Sequence, residues 1–283
     1  METAKVLKQT PVTDATVNRI SQCFLSLEKE GRKALIPFVT AGDPDAETTL
    51  AIIEGLEKAG ADIIELGMPY SDPLADGPVL QRAAQRALVA GMTPTAYLQL
   101  IGRARAQTQL PLVGLVYVNT ILQYGWEAFG REAAEAGLDG IVIPDLPQEA
   151  RFYGGKPLPP LPLTEIRLVA PTSQKRIRNI VRNAEGFLYC IAALGVTGAR
   201  KHLSDLATDL EPFMNTVKSE SACPTALGFG ISTPEMVKDI RHLAHGFIVG
   251  SALVEKLEEG IKAGKGATPA LDFVQSLRDA LDQ

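Results

Sequence analysis

The chain has 283 residues, of which 46% are hydrophobic and 22% charged, so it can build a substantial core and is too apolar for global disorder. Its formal net charge of −5 gives no basic footprint for nucleic acid and no polybasic patch for a membrane surface. The longest apolar runs fall far short of a membrane span, and a small anionic substrate would have to be held by local groups against a mildly unfavourable overall field.

In chain order, residues 1–15 are expected to form a flexible N-terminal extension, and no hydrophobic signal core precedes the acidic Glu28 and Glu30. Val17, Ile20, Phe24 and Leu27 then fall at helical spacing and predict an extra N-terminal helix, packed as a plug on the barrel bottom. Eight short apolar runs come next, each bounded by Gly, Pro or Asp: 34–40, 61–67, 110–118, 140–145, 165–171, 186–192, 224–230 and 246–252. They are almost continuously apolar rather than alternating, which predicts strands buried on both faces.

Most of the stretches between these runs have helical signals. Asp45 caps 45–60, where Leu50, Ile53 and Leu56 share a face and Gly60 is a stop. Residues 93–107 and 125–137 have the same pattern, and 232–246 opens with a Ser-x-x-Glu capping box. The tail from Pro269 to Leu281 predicts a last helix. Strand–helix alternation implies a parallel sheet with crossover helices. Eight such units predict a (β/α)₈ barrel with an extra N-terminal helix, residues 1–283 forming one domain. An open doubly wound sheet is disfavoured, because the early GxGxxG turn it usually carries is missing. One connection departs from the pattern: 147–163 is too rich in proline for a full helix and predicts a short turn near 148–153 and then an extended crossing.

The chemistry-bearing stretch is "ELGMPYSDPLADGP", Glu65 to Pro78, with three acids, three prolines and two glycines after an apolar run. Strand alternation places Ile63, Glu65 and Gly67 on one face and Ile64 and Leu66 on the other. The second pair suits packing against helices, so Glu65 is expected to point into the barrel mouth, where partial desolvation raises its pKa into the range of proton transfer. Asp72 and Asp76 lie in the next loop, stiffened by Pro69, Pro73 and Pro78, which can fold back so that Glu65 and Asp76 face one ligand. Gly-rich stretches at 194–199, 227–232 and 249–254 come after the last three strands, and Ser251 opens a helix-like segment; together they suit an anion held by bare amides. Loops after the seventh and eighth strands are the usual phosphate site of such barrels.

Cys23, Cys190 and Cys223 are far apart in apolar contexts and predict reduced, buried thiols. His242 and His245 lie at i, i+3 of a predicted helix without a third ligand nearby, which predicts solvated or capping roles and no metal. Trp126 is expected to be a packing residue.

In order along the chain, "IPFVTAGDPD", "IELGMPYSDPLADGP", "IVIPDLP", "VAPTS", "GVTGAR", "GFGIS" and "FIVGSALV" resemble the tryptophan synthase alpha chain family from about Phe24 to about Leu257. The resemblance implies a lyase that cleaves indole-3-glycerol phosphate to indole and glyceraldehyde 3-phosphate by a retro-aldol step in tryptophan biosynthesis. Glu65 would be the general acid/base, and Asp76 would accept a hydrogen bond from the indole N–H. Phe38, Leu115, Tyr117 and Tyr189 would surround the indole, and Thr197 would orient the catalytic aspartate. Gly198, Gly230, Gly250 and Ser251 would bind the phosphate. Asp72, Asn119 and Pro147 match regions facing a beta chain, in an alpha2beta2 tetramer, to which indole passes. No cofactor belongs to this subunit; pyridoxal phosphate belongs to the partner. The expected location is the cytoplasm, or the plastid stroma for a mature plant or algal chain.

Three departures from the family pattern stand out: Ala192 where a Ser is common, Asn119–Thr120 where Asn-Pro is frequent, and the Pro-rich 154–163 crossing in place of a more helical one. None removes an acid or a phosphate glycine. The alternatives are a stand-alone lyase releasing free indole, a catalytically weak regulatory paralogue, and another phosphate-sugar barrel such as an isomerase of the same pathway.

Overall fold

The structure, a computed structural model, describes residues 18–74, 76–147, 150–191, 203–228 and 230–283. The expected extension 1–15 lies outside them. Helix α1 (Arg19–Lys29) opens on Asn18, whose side chain accepts from the Ser21 N–H. Strand β1 (Ala34–Thr40) leads to α2 (Ala46–Lys58), and β2 (Ile64–Gly67) leads to α3 (Pro78–Val89) and α4 (Pro94–Arg105). Strand β3 (Leu112–Leu115), helices α5 (Val118–Tyr124) and α6 (Trp126–Ala136), and β4 (Gly140–Val142) come next. A small hairpin of β5 (Phe152–Tyr153) and β6 (Lys156–Pro157) precedes β7 (Thr164–Glu165) and β8 (Arg167–Val169). The chain continues through α7 (Ile177–Val181), β9 (Leu188–Ile191), α8 (Leu203–Glu220), β10 (Thr225–Gly228), α9 (Pro234–Ile240), β11 (Gly246–Val249), α10 (Ser251–Lys262) and α11 (Thr268–Leu281).

All pairings in the main sheet are parallel, in the order β7-β4-β3-β2-β1-β11-β10-β9-β8. β7 and β8 flank Ile166 and are two halves of a fifth strand. The first half pairs with β4 and the second with β9, so the ring closes across Ile166, whose N–H donates to Ile141 O at 2.9 Å. This is the eightfold barrel the sequence predicts, with one strand broken in its register.

Burial sorts into two shells. Leu35, Ile64, Leu66, Leu112, Ile141 and Leu227 pack outward against the helices. Ile36, Ile63, Val113, Val142, Ile166, Phe187 and Ile248 fill the barrel, joined by Ile20, Phe24 and Leu27 of α1. The predicted bottom plug is therefore present, with the Phe24 and Phe187 rings 5.7 Å apart.

Cap chemistry agrees with the sequence at α2, where the Asp45 carboxylate accepts from Thr48 N at 2.7 Å. At α9 it shifts by one residue. Thr233, not Ser232, caps the helix, accepting from Met236 N at 3.3 Å. α9 also stops at Ile240, so His242 and His245 are not helical. His245 instead accepts the Thr225 N–H on Nδ1 at 3.0 Å, a local cap at the entry to β10. The Pro-rich crossing contains the hairpin, turned by Gly154 and Gly155 at φ of +58° and +77°, a conformation glycine adopts at no steric cost. Beyond it, the Pro159 carbonyl accepts from the buried Trp126 indole at 2.8 Å, and Leu158, Leu161 and Leu163 seal the outer core where a helix would otherwise lie.

Candidate active site

β2 runs between β1 and β3 with Phe38, Glu65 and Val113 in register. Because Ile63 belongs to the barrel interior and Ile64 and Leu66 to the outer shell, Glu65 projects inward. It is 1% exposed, and neither carboxylate oxygen has a hydrogen-bond partner among the described residues. Desolvation, followed by the charge of Asp76, lifts its pKa from 4.5 to about 8. Near neutral pH this carboxyl is therefore mostly protonated, and it can both give up and retake a proton.

The loop after β2 delivers the second acid. Asp76 N–H donates to Pro73 O at 3.1 Å, and Gln81 of α3 donates from its side chain to Asp76 O at 2.9 Å. Gly77 then caps α3, and Pro78 takes its first position, where a missing N–H costs nothing. Burial raises the pKa of Asp76, opposed by a hydrogen bond donated by the Tyr117 hydroxyl. Tyr117 is 3% exposed and stacks on Tyr70 with ring centroids 4.9 Å apart. The backbone after it is fixed by Asp145, which accepts from Val118 N at 2.8 Å.

Phe38, Leu115 and Tyr189 continue the inner wall. The Phe38 ring lies over Gly67, where a Cβ would come within 2.3 Å of it. Tyr189 lies over Gly228 in the same way, at 2.6 Å. Both glycines are thus seats for rings. Desolvation and then the charges of Glu65 and Asp76 push the Tyr189 phenol well above its ordinary pKa, so this side chain is within electrostatic reach of both acids. Gly250 abuts Phe38, and Ser251 is the exposed first residue of α10, whose start has no side-chain cap among the described residues and lies beside the aromatic wall. Gly230 sits in the β10–α9 connection at φ +38° with open space around it. Thr197, Gly198 and Ala192 lie outside the described residues. Asp72, Asn119 and Pro147 are exposed, as is Leu74 at 97% in the loop that carries Asp76.

Three features of the site escape sequence reasoning. Tyr97 of α4, fully buried, donates to Leu66 O at 2.9 Å, directly behind Glu65. Tyr70 backs Tyr117, and its hydroxyl accepts from Asn119 at 3.3 Å. The ring-seat role of Gly67 and Gly228 is the third. Only the glycines leave a trace in the sequence, as "LG" within two apolar runs.

A parallel eight-unit barrel with an inward glutamic acid that has no hydrogen-bond partner among the described residues, an aspartate within electrostatic reach of it and a helix N-terminus beside the aromatic wall has the parts of a barrel enzyme's site. Comparison with known proteins narrows the class. Residues 24–281 match the family model "Tryptophan synthase alpha chain", and the chain belongs to that family. The chain is 48% identical over 265 residues to the tryptophan synthase alpha chain of Caldanaerobacter subterraneus subsp. tengcongensis, covering 94% of this chain and 100% of that one. It is 47% identical over 261 residues to that of Alkaliphilus metalliredigens, covering 92% and 97%. The crystal structure of tryptophan synthase subunit alpha from Legionella pneumophila superposes with a TM-score of 0.84 at 35% identity, covering 94% of this chain and 99% of that one.

Proposed function

We propose that the chain is the alpha subunit of a two-component tryptophan synthase and cleaves indole-3-glycerol phosphate to indole and glyceraldehyde 3-phosphate. The observation that carries this reading is the buried Glu65, without a hydrogen-bond partner among the described residues and within electrostatic reach of Asp76. Protonated Glu65 delivers its proton to C3 of the indole, which leaves an indolenine-like cation. Asp76 accepts a hydrogen bond from the ring N–H and offsets that charge. Glu65, now a carboxylate, removes the proton from the hydroxyl on the adjacent glycerol carbon. The C–C bond breaks, its electrons restore the neutral indole, and the hydroxyl carbon becomes the aldehyde of glyceraldehyde 3-phosphate. One proton enters at C3 and one leaves the hydroxyl, so the step is balanced.

Phe38, Leu115, Tyr117 and Tyr189 supply the apolar and aromatic walls suited to the indole. Gly230, Gly250 and Ser251, with Gly198 and Thr197 from the sequence, are the proposed phosphate and loop contacts. The exposed Asp72, Leu74, Asn119 and Pro147 suit a beta chain in an alpha2beta2 tetramer, with a cytoplasmic location. Among the described residues no helix is long and apolar enough to cross a membrane.

The test is an indole-release assay with and without beta chain. Substrate-dependent indole formation that rises when beta chain is added is the expected result. No indole in either case removes the lyase reading, and turnover indifferent to beta chain replaces the subunit by a stand-alone lyase.

A further inference from the structure

Behind the mouth, three segments far apart in sequence meet through charges. Asp43, in the turn after β1, is 2% exposed. Arg86 of α3 grips it with two hydrogen bonds, Nε to Oδ1 at 2.7 Å and Nη2 to Oδ2 at 2.8 Å. The remaining nitrogen, Nη1, lies 3.4 Å from Glu258 Oε2 of α10. Arg82, one turn earlier on α3, reaches the same oxygen at 3.3 Å, and Lys262 takes the other at 2.5 Å. Beneath these charges Ala83 of α3 and Val254 of α10 pack together with Phe38.

We propose that Arg86 is a positioning residue that sets Asp76 relative to the N-terminus of α10, through its fork on Asp43 and its reach to Glu258. The inference rests on the proposed function, because its two ends are the proposed ring contact and phosphate contact of one substrate. α3 begins two residues after Asp76, and Gln81 ties the Asp76 carbonyl to its first turn. α10 begins at Ser251. A ligand that touches Asp76 at one end and Ser251 at the other spans two helices whose mutual placement the Asp43–Arg86–Glu258 group fixes. Asp43 is buried while Arg86 is one-third exposed, and ion pairs, exposed or buried, are poor sources of net stability compared with apolar packing, so a planar, two-bond fork is better explained by the geometry it imposes.

The test is a double-mutant cycle in steady-state indole release, with the full chain at saturating beta chain. Arg86→Met in the wild-type background is expected to lower kcat about 10-fold with KM within about 2-fold, the size of effect a small misplacement of a reacting group has. In an Asp76→Asn background the same change is expected to cost less than about 2-fold, because its effect passes through Asp76. Arg86→Lys, which keeps the charge and loses the fork, is expected to fall between. Equal losses in both backgrounds, or no loss in the wild type, overturn the proposal. A wild type that releases no indole overturns the functional reading first and the proposal with it. If Arg86→Met shows no cooperative thermal unfolding, Glu258→Gln, which leaves the Asp43–Arg86 pair in place, carries the same cycle. An expected loss of about 3-fold confined to the wild-type background supports the proposal, and an equal or absent loss overturns it.

Discussion

The bottom and the mouth of the barrel treat a buried carboxylate in opposite ways. At the bottom, Asp62 accepts from Leu35 N at 2.8 Å and from Arg278 at 3.0 Å, and Arg278 also binds Asp282 at 2.6 Å. Asp139 repeats the device two strands on, accepting from Leu112 N at 2.8 Å, Arg105 at 3.0 Å and Arg19 at 2.8 Å. Each aspartate ties one strand to its neighbour and is answered by an arginine. Glu65, three residues after Asp62 and inside β2, has no such partner among the described residues. The same strand thus begins near a charge that is neutralised for structure and continues to an acid without a hydrogen-bond partner among the described residues. A chain under pressure for stability alone would pair or replace that acid, since an unmatched buried polar group costs free energy.

Glu65→Gln tests the contrast most severely. Indole release is expected to fall by about 10³-fold or more, because the amide can neither give nor take the proton. Its effect on stability runs the other way. Below pH 4.5, the ordinary value, folded and unfolded chains both hold the Glu65 proton and the site contributes nothing to pH dependence. As pH rises toward about 8 the folded chain keeps a proton that the unfolded chain has lost, so unfolding becomes easier, and above about 8 the penalty is constant. The variant does not titrate there. It is expected to match wild type at pH 4 and to exceed it at pH 9 by up to about 5 kcal/mol, as measured by urea unfolding. A wild-type advantage at pH 9 would contradict the raised pKa of Glu65.

Arg278→Met probes the bottom. Leaving Asp62 buried without its cation is expected to cost about 3 kcal/mol in unfolding free energy while kcat stays within about 2-fold, because nothing at the mouth moves. A large loss of kcat in folded protein would mean the two ends are not independent. On the proposed role of Asp76 in offsetting a developing cation, Asp76→Asn is expected to lower kcat by about 10², with thermal stability little changed. An unaltered kcat would remove Asp76 from the mechanism.

The parts of this contrast that are legible in the sequence are those set by local periodicity. Strands buried on both faces announce themselves as apolar runs, and alternation across Ile63, Ile64, Glu65 and Leu66 is enough to turn Glu65 inward. Run ends are less legible: the apolar stretch 61–67 is strand only over Ile64–Gly67, because hydrophobicity extends past the last ladder bond. Helix α3 is hidden by its composition, since its buried face is Ala83, Ala84 and Ala87 and its first residue is a proline at the end of a proline-rich loop. The hairpin did leave a signal, the Gly154–Gly155 pair, but the prolines around it favour reading an extended crossing. The break at Ile166, the Asp43–Arg86 fork and the Tyr97–Leu66 bond depend on where distant segments meet, and no spacing in the chain encodes that.

The smallest change asks how far the polar character of the mouth extends behind Glu65. Tyr97 belongs to the outer shell, yet its hydroxyl crosses toward β2, bonds Leu66 O, and occupies the space left by Gly114, where a Cβ would lie 2.8 Å from it. Tyr97→Phe removes one neutral hydrogen bond and no carbon, so a loss of about 1 kcal/mol is expected, with Tm about 2–4 °C lower. If Tyr97 is scaffold only, as its place in the outer shell argues, the fall of kcat on the alkaline side stays near the Glu65 value of about 8. A shift of that limb by more than about half a unit would mean that the hydroxyl helps set the environment of Glu65. The boundary between paired structural polarity and the proposed catalytic polarity would then lie behind the strand rather than at its inner face.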